Sequence, residues 1–407
     1  MSYHLVLSRR DEFSFADLHG ESILKRFEGP ILLFADKETV HHFTNLPNCT
    51  VEAVRWADKE GVFALAERYH REAGITSIAT LDEPTIEFAA QLREKLGVPG
   101  LRYEDAMLYR DKVRMKECLG PKGIRVPQFV CCSDRAAVAD LLARYGKLVV
   151  KPRDGLGSKK VSFISNAAEL ERWYATERAA DSFEAEEYIE GILYHTNSIV
   201  QNGEVLFTAI APYLPGMGNI DFSSGAPMVC RMLVQGELHD RLKAFSEQVI
   251  AGFGLQNGVT HLEAFVSDRD EIVFVEMAIR PGGGGIVHMI EAQFGINLSH
   301  AALAIEQGRA REALGRFRAI DQLAGLIGFR GNDTVRIADI PGKDAFAEDW
   351  IQLARIYAKP GDVKAPSFHC TDYRGLMIFT AADETQFDQR LNQLTETFET
   401  RIVCEPL

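Results

Sequence analysis

Along residues 1–100, short apolar runs alternate with stretches whose apolar residues recur at helical spacing. "HLVLS", "PILLFAD", "TVEAV" and "ITSIAT" read as strands, and "EGVFALAERYHREAG" and "PTIEFAAQLREKLG" as amphipathic helices. This alternation predicts a small parallel α/β sheet with helical crossovers, ended by turn chemistry at "GVPG" (97–100). A charged helix, "YEDAMLYRDKVRMKECLG", follows and ends at Gly120. From Pro127 to "FEAEEYIEG" the pattern is strand, helix, strand, strand, helix, strand, which predicts a compact α+β module. Longer alternating strands ("NSIVQNGEVLFTAIAPYL"), a helix near 238–253, a hairpin and further helices carry the chain to Gly308. A mixed tail follows, with strands at "GLMIFT" and "RIVCEP".

The hairpin at 259–280 is the most informative segment. Period-2 alternation in "VTHLEAFV" puts His261, Glu263 and Phe265 on one face. In "EIVFVEMAIR", Glu276, Ala278 and Arg280 share a face, with Val273, Val275, Met277 and Ile279 on the other. A tight turn centred between Arg269 and Asp270 would set Glu263 directly across from Glu276. Like charges so placed destabilise a sheet unless a positive group lies between them, and carboxylate oxygens are what magnesium prefers. The bland alternative is a solvated face carrying two unrelated glutamates. Against it stand Arg280 on the same face and the run Gly282–Gly285, because an arginine fork and close backbone N–H groups bind phosphate or carboxylate oxygens.

Composition narrows the classes. Hydrophobic residues at 46% and charged residues at 25% over 407 positions are ordinary for a multidomain globular chain. A net charge of −13 argues against a nucleic-acid or anionic-membrane partner, and no apolar run has the length of a spanning helix. The start lacks the pattern of a signal peptide. Seven cysteines without C-x-x-C spacing fit neither a zinc site nor a disulfide framework, so a reducing cytoplasm is expected.

The stretch "LVVKPRDGLGSKKV" (148–161) sets a strand lysine before two glycines, but it is neither a Walker P-loop nor a dinucleotide fingerprint. With its neighbours, it resembles the ATP-grasp superfamily, more narrowly the carboxylate–amine ligases that include D-alanine–D-alanine ligase and bacterial L-amino-acid ligases. The motifs stand in the family's order over about residues 75–310. "YRDKVRMKECLGPKGIRVP" resembles the first lysine motif, which implies that Lys112 contacts the α/β-phosphates. "LVVKPRDGLGSKKV" resembles the second, with Lys151 reaching phosphate and adenine and Gly155, Gly157 and Ser158 closing over the β/γ-phosphates. "EEYIEG" resembles the adenine hinge, where Glu186 and Ile189 offer backbone groups beside the Tyr188 ring. "HLEAFV" and "VFVEMAIRPGG" resemble the magnesium pair, Glu263 and Glu276, and the catalytic arginine, Arg280. Two positions depart from the family pattern. Ile192 and Leu193 follow the hinge glycine where a ribose-binding acid is common, so either Glu190 substitutes or the ribose is held loosely, and Ala278 stands where many members have asparagine.

The resemblance implies three parts: an N-terminal pre-ATP-grasp domain (1–103), an ATP-grasp domain (104–310) with a lid at about 122–192, and a C-terminal α+β region (311–407) completing the grasp. It implies ATP with Mg2+ (or Mn2+) and small-molecule carboxylate and amine substrates, and it leaves a homodimer open. The implied reaction makes an acyl phosphate and ADP, then an amide. The alternatives are an ATP-grasp carboxylase or another ATP-dependent carboxylate-activating enzyme, such as a phosphoribosylamine-type ligase, and a non-catalytic ATP-binding subunit. His261 and His288 read as structural histidines rather than proton shuttles, and acceptor pockets are expected on loops such as 213–229.

Overall fold

Strands β1 (Tyr3–Ser8), β2 (Ile31–Asp36), β3 (Cys49–Val54) and β4 (Ile75–Thr80) form a parallel sheet in the order β3-β2-β1-β4. The computed structural model describes residues 2–218, 220–367 and 369–406. Helix α1 (Lys59–Ala73) carries the crossover from β3 to β4, and α2 (Glu83–Leu96) leaves β4. The other two crossovers are not α-helical as expected but consist of 3-10 turns. Gly20, Gly29 and Pro47 interrupt those linkers, so neither can sustain the turns a helix needs to form.

The charged helix predicted over 103–120 is two helices, α3 (Tyr103–Met107) and α4 (Lys112–Leu119). Asp111 breaks it by capping α4: its carboxylate accepts from the backbone N–H groups of Val113 and Arg114. Lys112 thereby becomes the first residue of a helix. The expected module follows in the expected order: β5 (Phe129–Cys131), α5 (Arg135–Tyr145), β6 (Leu148–Pro152), β7 (Ser162–Ile164), α6 (Ala167–Thr176) and β8 (Phe183–Glu187). Its antiparallel sheet, β5-β8-β6-β7, has a core of its own that includes Leu142, Val150, Leu170, Trp173 and Phe183.

A second antiparallel sheet, β10-β9-β12-β13, holds the carboxylate hairpin. β9 (Gly191–Gln201) turns into β10 (Glu204–Pro212) through Asn202 and Gly203, both with positive φ as a two-residue hairpin requires. β11 (Met228–Arg231) and α7 (Glu237–Phe253) precede β12 (Gly258–Ser267) and β13 (Ile272–Ala278), and α8 (Ile286–Phe294) and α9 (Leu298–Ile305) follow. The tail supplies β14 (Leu323–Phe329), β15 (Val335–Asp339), β16 (Ile351–Ile356), β17 (Val363–Lys364), β18 (Gly375–Ala381), the helix Glu384–Arg401 and β19 (Val403–Pro406). β11 joins β14, β18 and β16 in one sheet, and the core under it mixes α8 and α9 with Leu326, Leu376 and Ile378. The tail is therefore packed into the centre of the molecule.

Glu263 pairs with Glu276 in register, as the alternation predicts. The turn does not lie where that reading put it. Beyond Glu263 the pairing shifts by one residue, to Ala264 with Phe274 and Phe265 with Val273, so β13 carries a bulge at Val275. The bulge reverses the facing of the strand. Phe274 packs in one core cluster with Met277 and Ile279, while Val275 lines the same cavity as Glu263 and Glu276. Val273 and Val275 thus do not continue the face of Met277 and Ile279.

Candidate active site

The carboxylate pair opens on a cavity of about 400 Å³ between the α+β module and the β9–β13 sheet. One end is apolar, with Val149, Phe163, Tyr188, Ile189, Ile192 and Phe265. The other is charged, with Lys112, Lys151, Glu263, Glu276 and the loop Gly155–Lys159. Of the residues the sequence singled out for nucleotide, only Glu190 does not line this cavity. Glu190 is exposed, and its carbonyl accepts from Asp268 N–H at 3.1 Å. Positive φ in the loop occurs at Gly157 (65°), Ser158 (58°) and Lys160 (57°). Conformational freedom is thus required at Gly157 but not at Gly155, where a Cβ would instead press on Pro152.

Lys112 ties the two halves of the charged end together. Its Nζ lies 2.8 Å from Glu276 Oε2 and donates to the Gly155 carbonyl at 2.8 Å. Burial pushes the Glu276 carboxyl up, but Lys112 more than offsets this and its pKa is lowered. Lys151 donates to Glu186, and Lys116 lies 2.6 Å from both Glu184 and Glu186. Two lysines and two glutamates therefore form a buried, charge-balanced quartet beneath the cavity. Burial opposes ionisation of Glu186, yet Lys116 and Lys151 outweigh it and hold its pKa at about 2. The Glu186 side chain is structural here, which leaves its backbone for a ligand.

Arg280 does not line this cavity. Its Nη2 and Nε reach Glu83 Oε2 at 2.6 and 3.1 Å, and Nη1 donates to the Pro281 carbonyl. Glu83 begins α2 in the N-terminal sheet domain, and its other oxygen pairs with Arg110. Arg110 in turn donates to the Asp154 carbonyl at 2.9 Å. One carboxylate from the N-terminal region thus holds both Arg280 and a contact to the loop Gly155–Lys159.

Behind Glu263 lies a polar layer. Tyr213 Oη donates to Glu263 at 2.8 Å, His261 Nε2 lies 3.6 Å from the same oxygen, and Asn197 Oδ1 is 3.0 Å from His261 Nδ1. His195, opposite Glu263 on β9, is fully buried; burial and His261 lower its pKa to about 3 against a weaker pull from Glu263. His261 is therefore satisfied, as expected for a structural histidine. His288 is not: it stacks on Phe13 at 4.2 Å, and neither ring nitrogen has a hydrogen-bond partner of good geometry. Burial lowers its pKa to about 4, although the Ala16 carbonyl pulls the other way.

His288, the glycine run Gly282–Gly285, Arg10, Phe13, Tyr357 and Tyr373 line a second cavity of about 340 Å³. Loop 213–229, expected to hold an acceptor, mostly lines the first cavity through Tyr213–Gly216, Gly218 and Asp221, while Asn219 lies outside the described residues. Lys116, Glu184, Glu83 and Arg110 were not legible as site residues. Lys116 carried one usable signal, standing four residues after Lys112 on the same helix face.

These features, two α+β lobes about one cavity, are those of an ATP-grasp fold. Residues 146–288 match the ATP-grasp domain family, and the chain carries such a domain. The chain is 30% identical over 244 residues to the L-arginine-specific L-amino acid ligase of Bacillus subtilis, covering 56% of this chain and 57% of that protein. It is 25% identical over 275 residues to the alanine–anticapsin ligase of Bacillus subtilis strain 168, covering 60% and 56%. The chain thus spans a little over half the length of these curated relatives. Among solved structures, an L-amino acid ligase from Bacillus licheniformis superposes with a TM-score of 0.80 at 19% identity, covering 100% of this chain and 99% of that one. The phosphoribosylglycinamide synthetase of Anaerococcus prevotii superposes at 0.73 with 14% identity and full coverage of both chains. At these identities the structures speak for the fold alone.

Proposed function

We propose that the protein is an ATP-dependent carboxylate–amine ligase, acting on amino acids or related small acids and releasing ADP and phosphate. The observation that carries this is the register pairing of Glu263 with Glu276 in one cavity with Lys112, Lys151 and the loop Gly155–Lys159. Pure nucleotide binding would not require two facing carboxylates. The names of the Bacillus subtilis relatives point to the same chemistry.

The apolar end, with Tyr188, Ile189 and Ile192, suits an adenine ring, and the charged end suits the triphosphate. Glu263 and Glu276 fit Mg2+, which is typically held by one or two carboxylates plus phosphate oxygens and water. Bound there, Mg2+ would supply positive charge that offsets the charge of the triphosphate. Lys112 and Lys151 neutralise the remaining charge, and Lys112, already on the Gly155 carbonyl, couples the loop to the carboxylates. The substrate carboxylate attacks the γ-phosphorus, ADP leaves, and the amine displaces phosphate from the acyl carbon. The glycine run Gly282–Gly285 lines the second cavity and offers backbone donors to acyl-phosphate oxygens, whereas Arg280 lines neither of these two cavities and reaches those oxygens only by releasing its fork from Glu83. Closure of the module over 122–192 excludes water from the acyl phosphate.

The test is a phosphate-release screen of pairwise amino acids with ATP and magnesium, followed by nucleotide chromatography. One ADP and one phosphate per amide are expected, and hydroxylamine in place of the amine traps the activated acid as a hydroxamate. AMP as the main product would refute the mechanism.

A further inference from the structure

Arg330, just past the end of β14, is only 6% exposed, and among the described residues no carboxylate pairs with it. Its Nη1 donates to the Gly218 carbonyl at 3.1 Å, while Nε and Nη2 are buried without a hydrogen-bond partner. A guanidinium stays protonated in proteins, and a buried charge without a counter-charge is costly. Its neighbour adds to the deficit. The Tyr373 ring lies 6.0 Å from the guanidinium, and the buried Tyr373 hydroxyl donates only to Met228 Sδ at 3.2 Å, a weak acceptor. These buried donors therefore lack an oxygen to bind, and an oxyanion is the partner that a guanidinium fork takes.

The place of this pair limits which anion it is. Gly218 lines the first cavity and Tyr373 the second, so Arg330 stands behind the wall between them. The charges of Arg330, Glu263, Arg280 and Glu276 all act on the nearby Cys370 thiol, so the arginine is within electrostatic reach of the reacting end. The acid that becomes acylated must bring its carboxylate to the γ-phosphate, next to Lys112 and the glutamate pair, and loses that charge on phosphorylation. A permanent cation set apart from the lysines suits a carboxylate that stays ionised throughout turnover.

We propose that Arg330, with the Tyr373 hydroxyl, receives the carboxylate of the amine substrate. The acceptor is then an amino acid, or another amine bearing a carboxylate, and the product keeps that carboxylate free. This rests on the ligase reading above. During transfer the amine nitrogen bonds to the acyl carbon, the C–O bond to phosphate breaks, phosphate leaves and the nitrogen loses a proton. The carboxylate on Arg330 takes no part in those bond changes; it orients the amine. In the structure the guanidinium is covered and lines neither cavity, so binding requires the residues around it to move aside and expose Nε and Nη2.

The experiment compares three acceptors with the purified full chain: the best amino acid from the phosphate-release screen, its carboxamide, and hydroxylamine, which carries no carboxylate. In the wild type, kcat/KM for the amino acid is expected to exceed that for the carboxamide by at least about tenfold, as for other charge-assisted contacts. R330Q should raise the amino-acid KM and bring the amino-acid to carboxamide ratio near one, with Y373F falling between. Normalising each rate to hydroxamate formation removes effects on acid activation. Equal use of amino acid and carboxamide by the wild type would overturn the assignment without any variant, as would an undiminished preference in folded R330Q. Absence of both hydroxamate and ADP with every acid would instead overturn the ligase reading, and this inference with it.

Discussion

Glu276 and Glu83 are both acids whose loss is felt through arginine or lysine partners, yet the structure assigns them different consequences. Glu276 faces the cavity beside Lys112 and Glu263. E276Q is expected to leave the protein folded and able to bind nucleotide while turnover falls at least ~10²-fold, because the carboxylate pair proposed to hold Mg2+ is weakened. Wild-type turnover in the purified variant would remove Glu276 from the mechanism. Glu83 instead counterbalances Arg280 and Arg110 at once, and the pull of those two arginines lowers its pKa against the effect of burial. E83Q leaves two arginines without their carboxylate, so urea unfolding should show a loss of about 3 kcal/mol. A loss below about 1 kcal/mol, the range of surface pairs, would mean that Glu83 is not the anchor. Sequence alone carried Glu276 through its alternation with Ala278. It carried nothing of Glu83, whose partner Arg280 stands almost two hundred positions away.

Among the elements, the module of β5–β8 has its own sheet and its own hydrophobic core, and Glu184 and Glu186 of β8 pair with Lys116 of α4. Lys112 N–H to the Arg153 carbonyl, Arg153 to Asp111, and Arg110 to the Asp154 carbonyl tie the base of its loop to α4. At the tip, Gly157 packs against His369 from the tail; a Cβ there would sit 2.0 Å from the ring Nε2. Such an element can rotate as a body while its core stays intact. Cleavage near 155–160 in limited proteolysis should therefore be suppressed by a non-hydrolysable ATP analogue. Equal cutting with and without it would count against closure. The order of elements in this module was legible because each has an unambiguous period. The bulge at Val275 was not, since a one-residue insertion leaves no mark in composition.

The whole molecule buries several titratable groups whose native pKa values lie below their free values. His195 falls from 6.5 to about 3 and His288 from 6.5 to about 4, both chiefly through burial. The native state refuses protons that the unfolded chain accepts, so their contribution is complete above about pH 6.5 and declines as pH falls toward 3. Glu186, held near 2 by Lys116 and Lys151 against burial, adds a further loss between 4.5 and 2. Denaturant midpoints should thus begin to fall below about pH 6.5. H195Q should flatten the slope between pH 6.5 and 4.5; an unchanged slope would show that His195 is not its source. No helix among the described residues is long and apolar enough to cross a membrane.

What the sequence by itself determined was local and periodic. The parallel N-terminal sheet, the order of elements in the β5–β8 module and the facing of Glu263 with Glu276 follow from alternation and spacing over short separations. The ordered lysine, glycine and glutamate motifs likewise stood within short windows. Tertiary structure alone decided the long-range pairings: Glu83 with Arg280, Lys116 with Glu184 and Glu186, the tail strands with β11, and Arg330 with no carboxylate among the described residues. The physical reason is that burial and ion pairing depend on which distant surfaces meet, and no period in the chain records that meeting.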